Sequence, residues 1–160
     1  MIKEKDLREG RQIRFRNGDG ITLETVQEGL ADLADQNAIK IAFYKDQVKF
    51  GNLFSSNIED CIVLYHPEHR NDYICTVLRV THQGKYAFLN LDDYGYSKMA
   101  GKIETKEERR AATAGQGMAY KIGYGITSGI MSIGASKTKL EQERNWYAIV
   151  DDIINEFCGV

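Results

Sequence analysis

Hydrophobic and polar positions alternate through the first hundred residues and then change period. Gln12-Ile13-Arg14-Phe15-Arg16 has the twofold alternation of a strand, closed by the turn residues Asn17-Gly18-Asp19-Gly20. A helix is expected next: Thr25 with Glu28 three positions on makes a capping box, Val26, Leu30 and Leu33 recur at helical spacing, and Asn37 supplies a stop. Ile39, Ile41 and Phe43 then alternate with Lys40, Ala42 and Tyr44. The polar run Lys45-Asp46-Gln47 is expected to turn the chain, so that Val48 to Phe54 returns as the second arm of a hairpin. The continuous apolar run Cys61-Ile62-Val63-Leu64-Tyr65 fits a strand buried on both faces.

Between Tyr73 and Asp92 the pattern also specifies pairing. A two-residue turn at Gln83-Gly84 would set Val80 opposite Ala87, Leu78 opposite Leu89 and Thr76 opposite Leu91. One face would then hold Ile74, Thr76, Leu78, Val80, Ala87, Leu89 and Leu91. The other would hold Arg79, Thr81, Tyr86, Phe88, Asn90 and Asp92.

After Gly101 the pattern becomes helical. Thr105 and Glu108 form a second capping box ahead of Ala111, Ala112 and Ala114. A strongly amphipathic helix is expected over about residues 137–157. Its stripe is Leu140, Tyr147, Val150, Ile154 and Phe157, widened by Trp146, Ile149 and Ile153, and Gly159 closes it. The expected fold is α+β: an antiparallel sheet of about five to six strands, one early helix, and a C-terminal helical pair packed on the sheet. Residues 1–160 are expected to form a single domain, mostly sheet over 1–100 and helical over 101–160.

Composition narrows the partners. The chain is 42% hydrophobic and 28% charged, and its 23 acidic residues against 21 basic ones give a net charge of −2. Basic and acidic residues interleave, as in the run from Lys102 to Arg110, whereas a phosphate-binding face concentrates cations. No nucleic-acid partner is therefore expected. Met1 to Asp6 carries no apolar run of the signal-peptide kind, and Cys61, Cys75 and Cys158 are odd in number without CxxC spacing. Both features favour the cytoplasm.

Residues 111–135 hold six glycines, which would cost a continuous helix about 6 kcal/mol relative to alanine. Small residues recur every fourth position at Ala111, Gly115, Ala119 and Gly123, and again at Gly125 and Gly129. Such a face suits close packing inside the protein, self-association or, over 118–135, contact with a membrane. Gly123 to Gly129 also matches GxGxxxG, but no strand pattern precedes it and no Gly-Lys-Ser/Thr follows, so a phosphate cradle ranks last.

The three histidines, His66, His69 and His82, fall close together in sequence. His66, His69, Asp72 and Cys75 offer ligands to a borderline ion such as zinc. His82 would lie roughly 30 Å away at the far end of the following strand. The competing interpretation is a polar connection turned by Pro67. Asp92 and Asp93 could hold a cation or simply end their strand. Arg79, Tyr86 and Phe88, with Tyr94 and Tyr96, have the composition of a protein-binding patch if exposed. No GxSxG elbow occurs.

The leading expectation is a non-catalytic cytosolic module that binds a protein partner or itself, through Gly125, Gly129, Trp146 and Tyr147. The first alternative is a metal-binding protein or small metal-dependent enzyme centred on residues 66–75. The second is a peripheral membrane protein. No cofactor is expected, with zinc the alternative.

Overall fold

The computed structural model describes residues 1–102 and 135–160. The fold is α+β. Strands β1 (Ile2–Lys3), β2 (Leu7–Phe15), β3 (Ala42–Gly51), β4 (Ser56–Tyr65), β5 (Cys75–Gln83) and β6 (Tyr86–Tyr94) form one six-stranded sheet in the order β1-β3-β4-β5-β6-β2. Every pairing is antiparallel except β1 with β3. Helix α1 (Leu23–Gln36) and helix α2 (Ala135–Cys158) pack on one face of the sheet. A further helical turn begins at Lys98, capped by the Ser97 hydroxyl, which accepts from the Ala100 N–H at 3.0 Å. The second capping box and the glycine-rich run lie outside the described residues, as does most of the first member of the expected helical pair. No described helix is long and apolar enough to cross a membrane.

The helix-covered face holds the main core. Val26, Leu30 and Ala34 of α1 and Trp146, Val150, Ile153 and Ile154 of α2 meet Ile13, Ile62, Leu64, Leu78, Leu89 and Leu91 of the sheet. Ile149, counted in the apolar stripe, instead points outward. Helix α2 ends in a Schellman motif: Gly159 N–H bonds the Glu156 carbonyl and Val160 N–H bonds that of Asn155, with Gly159 at φ +70°.

Three local expectations are corrected. Helix α1 starts at Thr22 rather than Thr25. The two threonines cap reciprocally, Thr25 N–H to Thr22 Oγ1 at 3.1 Å and Thr22 N–H to Thr25 Oγ1 at 2.9 Å, which draws Leu23 onto the core. The Lys45-Asp46-Gln47 run does not turn. It lies inside β3, where Asp46 pairs with the N-terminal amine at 3.3 Å, and the turn comes instead at Asn52–Ser55. Leu53 and Phe54 stand on that tip at 94% and 97% exposure, so the apolar pair marks the turn and the polar trio marks the strand.

The third correction concerns the β5–β6 hairpin, which turns at Gly84-Lys85. Val80 therefore faces Leu89, and Leu78 faces Leu91. The register is displaced by two residues, which leaves every side chain on its expected face.

Chain connectivity curls the sheet. β1 and β2 lie on opposite edges yet are joined only by the 3-10 turn Glu4–Asp6. From Lys3 to Leu7 the chain reaches at most about 14 Å, whereas five strand spacings in a flat sheet amount to roughly 24 Å. The edges must bend toward each other, making the second face a trough. Ile2, Val48, Cys61, Val63, Cys75 and Val77 are buried along its floor. Arg79 closes one end: its guanidinium lies 4.6 Å from the Phe50 ring centre and pairs with Glu59 at 2.7 Å and Asp92 at 2.9 Å. The other end is open.

Candidate functional site

The open end of the trough is a cleft of about 960 Å3. Lys5, Asp6 and Arg8 come from the crossing link and the start of β2, Tyr44 from β3, and Arg70, Asn71, Tyr73 and Cys75 from the β4–β5 connection and the start of β5. Tyr94, Gly95, Tyr96 and Lys98 follow the end of β6. Mouths of curled sheets are common ligand sites because strand ends converge there while the floor stays apolar. Among these described residues four cations and one carboxylate line the cleft, and one of the cations, Lys98, is paired with Asp72 at its edge.

Arg70 is held by ring faces, 4.5 Å from the Tyr44 centroid and 5.2 Å from that of Tyr65. This leaves the guanidinium edge free to fork onto a carboxylate or phosphate. Lys98 is anchored to Asp72 at 3.1 Å. Burial pushes the Tyr44 and Tyr94 phenols and the Cys75 thiol upward, so these groups are neutral near pH 7. Cys75 is thus a wall of the cleft in its thiol form, its sulfur 4.0 Å from the Arg70 carbonyl.

The sheet separates Cys75 from the histidines with which it was grouped. His66, His69, Tyr73 and Trp146 form an aromatic cluster towards the helices: His69 stacks on Tyr73 with centroids 4.2 Å apart, and His66 lies 5.2 Å from Trp146. The chain turns at Pro67 by a His69 N–H to His66 carbonyl bond of 3.0 Å, which sets both imidazoles and Glu68 together. Asp72 sits 3.6 Å from His69 Nδ1, and the hydrogen bond from Lys98 holds its carboxyl below the usual range. Burial lowers His66. His82 is remote, its ring 3.0 Å from the Gly18 carbonyl.

Two buried polar arrangements join α2 to the sheet, and only the inward phase of Glu143 and Tyr147 is legible in the sequence pattern. Glu143 of α2, only 3% exposed, accepts from the Ile74 N–H at 3.2 Å and from the Ser97 hydroxyl, fastening the helix to the start of β5 and to the turn after β6. Burial pushes its carboxyl upward. Nearer the C-terminal end of α2, the Tyr147 hydroxyl donates to Asp93 beside a smaller cleft of about 210 Å3, with Arg11 and Asp151 paired at its rim at 2.7 Å. Burial pushes both Asp93 and Tyr147 upward.

The remaining candidates disperse. Trp146 and Tyr147 face inward, with the Trp146 indole N–H bonded to the Lys40 carbonyl at 2.9 Å. Gly125 and Gly129 lie outside the described residues. Arg79 is locked in its two ion pairs, Phe88 is partly buried, and Tyr86 is exposed beside Arg14 at 5.9 Å. Asp92 and Asp93 point to opposite faces, one to Arg79 and the other to Tyr147. Comparison with protein-family models, with curated proteins and with solved structures finds no significant match.

Proposed function

We propose that the protein is a non-catalytic cytoplasmic binding module that takes an acidic segment of a partner protein into the open end of its trough. One observation carries this reading: Lys5, Arg8 and Arg70 line one cleft with Lys98, itself paired with Asp72, while Asp6 is the one described carboxylate lining it, in a chain whose overall charge is −2. Segregating cations against the net charge creates a local positive field that attracts and orients acidic groups. Tyrosine and arginine are also the residue types that dominate binding energy at protein interfaces. Three free thiols, two of them buried, fit a reducing compartment.

The test is fluorescence anisotropy of a labelled Glu/Asp-rich peptide containing one tyrosine, with a Lys-rich peptide as control. Saturable binding of the acidic peptide alone, weakened by salt and at least tenfold by Arg70→Glu, supports the reading. No binding, or equal binding by the Arg70→Glu variant, overturns it. If inorganic phosphate competes at low millimolar concentration while the peptide binds only weakly, the cleft serves a small anion instead.

A further inference from the structure

The structure assigns a transition-metal site to His66, Glu68 and His69, in the β4–β5 connection. One ligand atom from each of these residues can be chosen so that all three lie within 4.8 Å of one another. A tetrahedral ion with bonds near 2.1 Å holds its donors about 3.4 Å apart, so closing the set asks for side-chain movement of roughly 1 Å. The backbone is already formed for this. The turn at Pro67 fixes the imidazoles three residues apart on one side, and a further bond from the Tyr73 N–H to the His69 carbonyl at 3.0 Å secures the loop's exit.

The surroundings are those of a built ligand set. Rings flank each imidazole, His69 face to face with Tyr73 at an interplanar angle of 5° and His66 against Trp146, so part of the rotamer freedom is already lost before binding. Asp72, 3.6 Å from His69 Nδ1, needs only a small approach to accept a hydrogen bond from that N–H, which would leave Nε2 for the ion. This ligand set differs from the one expected from sequence. Asp72 moves outward to orient a ligand, Glu68 takes its place, and Cys75 belongs to the other face.

Two contacts must be given up on loading: the Glu68 N–H to His66 Nδ1 bond of 3.1 Å, and the ion pair of Lys40 with Glu68. Two imidazoles and one carboxylate select a borderline divalent ion of the zinc, nickel or copper type, with water completing the shell. The two lost contacts point to a moderate affinity.

The single tryptophan reports on the site directly, because the Trp146 ring lies 5.2 Å from His66. Titrating the full chain with Ni2+ should quench its emission saturably, and Zn2+ should reverse the quenching by competition. His69→Gln, at a partly exposed position, should weaken Ni2+ binding more than tenfold, and Glu68→Gln should weaken it several-fold while leaving the far-UV spectrum unchanged. Asp72→Asn should cost about tenfold, as loss of a ligand-orienting partner does. Absence of quenching up to millimolar Ni2+ overturns the assignment, as does an identical titration curve for the wild-type chain and His69→Gln. Zn2+ failing to compete would overturn it too.

Discussion

The ring of Phe157, at the end of α2, occupies the space that any side chain at position 29 of α1 would need. A β carbon built on Gly29 would lie 2.3 Å from Phe157 Cε2 and 2.6 Å from Cδ2. A glycine inside an exposed helix costs about 1 kcal/mol relative to alanine, so its presence there reflects the close approach of the two helices. Gly29→Leu should destabilise the protein by about 2 kcal/mol, the usual cost of overpacking a fitted site. Phe157→Ala should be costly in the wild-type chain and much less so beside Gly29→Leu. Urea denaturation of the two single variants and the double variant checks this. Additive losses would show that the two positions do not interact.

The two helices end differently, although both close with the same pair of hydrogen bonds. After α1, Ala38 N–H bonds the Asp35 carbonyl at 3.1 Å and Ile39 N–H bonds that of Ala34 at 2.9 Å, so Ala38 holds the position that Gly159 holds after α2. Ala38 is the one non-glycine described residue with positive φ, at +54°. An L-residue in that conformation carries a strain of about 1–2 kcal/mol, which glycine lacks, and glycine's greater unfolded-state entropy recovers only part of the difference. Ala38→Gly should therefore stabilise the protein by about 0.5–1 kcal/mol, visible as a raised thermal midpoint. A lowered midpoint would mean that the Ala38 methyl contributes packing that outweighs the strain.

These features also show what sequence pattern can and cannot convey. Strand faces were legible because side chains alternate with a period of two. For the same reason the two-residue displacement of the β5–β6 register was invisible, since Val80 faces the helices whether it pairs with Ala87 or Leu89. The turn of the β3–β4 hairpin was misplaced because hydropathy is inverted there, with Asp46 mid-strand and Phe54 at the tip. The cleft could not be foreseen at all. Lys5, Tyr44, Arg70 and Tyr94 are brought together only because β1 and β2 straddle the sheet with a three-residue link. Glu143 falls on the apolar stripe, three residues from Leu140 and from Trp146, so a carboxylate at an inward-facing position is legible in the spacing. The pattern does not convey its partners, Ile74 and Ser97, whereas Glu141, two residues away, lies off the stripe and is exposed.

Glu143 also sets a direction for stability against pH. Burial raises its folded-state pKa above the ordinary 4.5, opposed by the hydrogen bonds from Ser97 and Ile74 and by His69, and reinforced by Asp72. The folded state thus holds this proton more tightly than the unfolded chain. The resulting stabilisation is fully present below pH 4.5 and is lost as pH rises through the folded-state value. Glu143→Gln removes that loss: its carbonyl can accept from the Ile74 N–H and its amide can donate to the Ser97 hydroxyl. Relative to wild type, this variant should gain stability as pH rises from 4 to 8. Glu143→Ala should lose about 1–3 kcal/mol at every pH, because it strands a buried N–H and a buried hydroxyl. Urea denaturation midpoints across that pH range decide the matter. Parallel curves for wild type and Glu143→Gln would show that the carboxyl titrates alike in the folded and unfolded chains, and the buried latch would then be no more than a pair of hydrogen bonds.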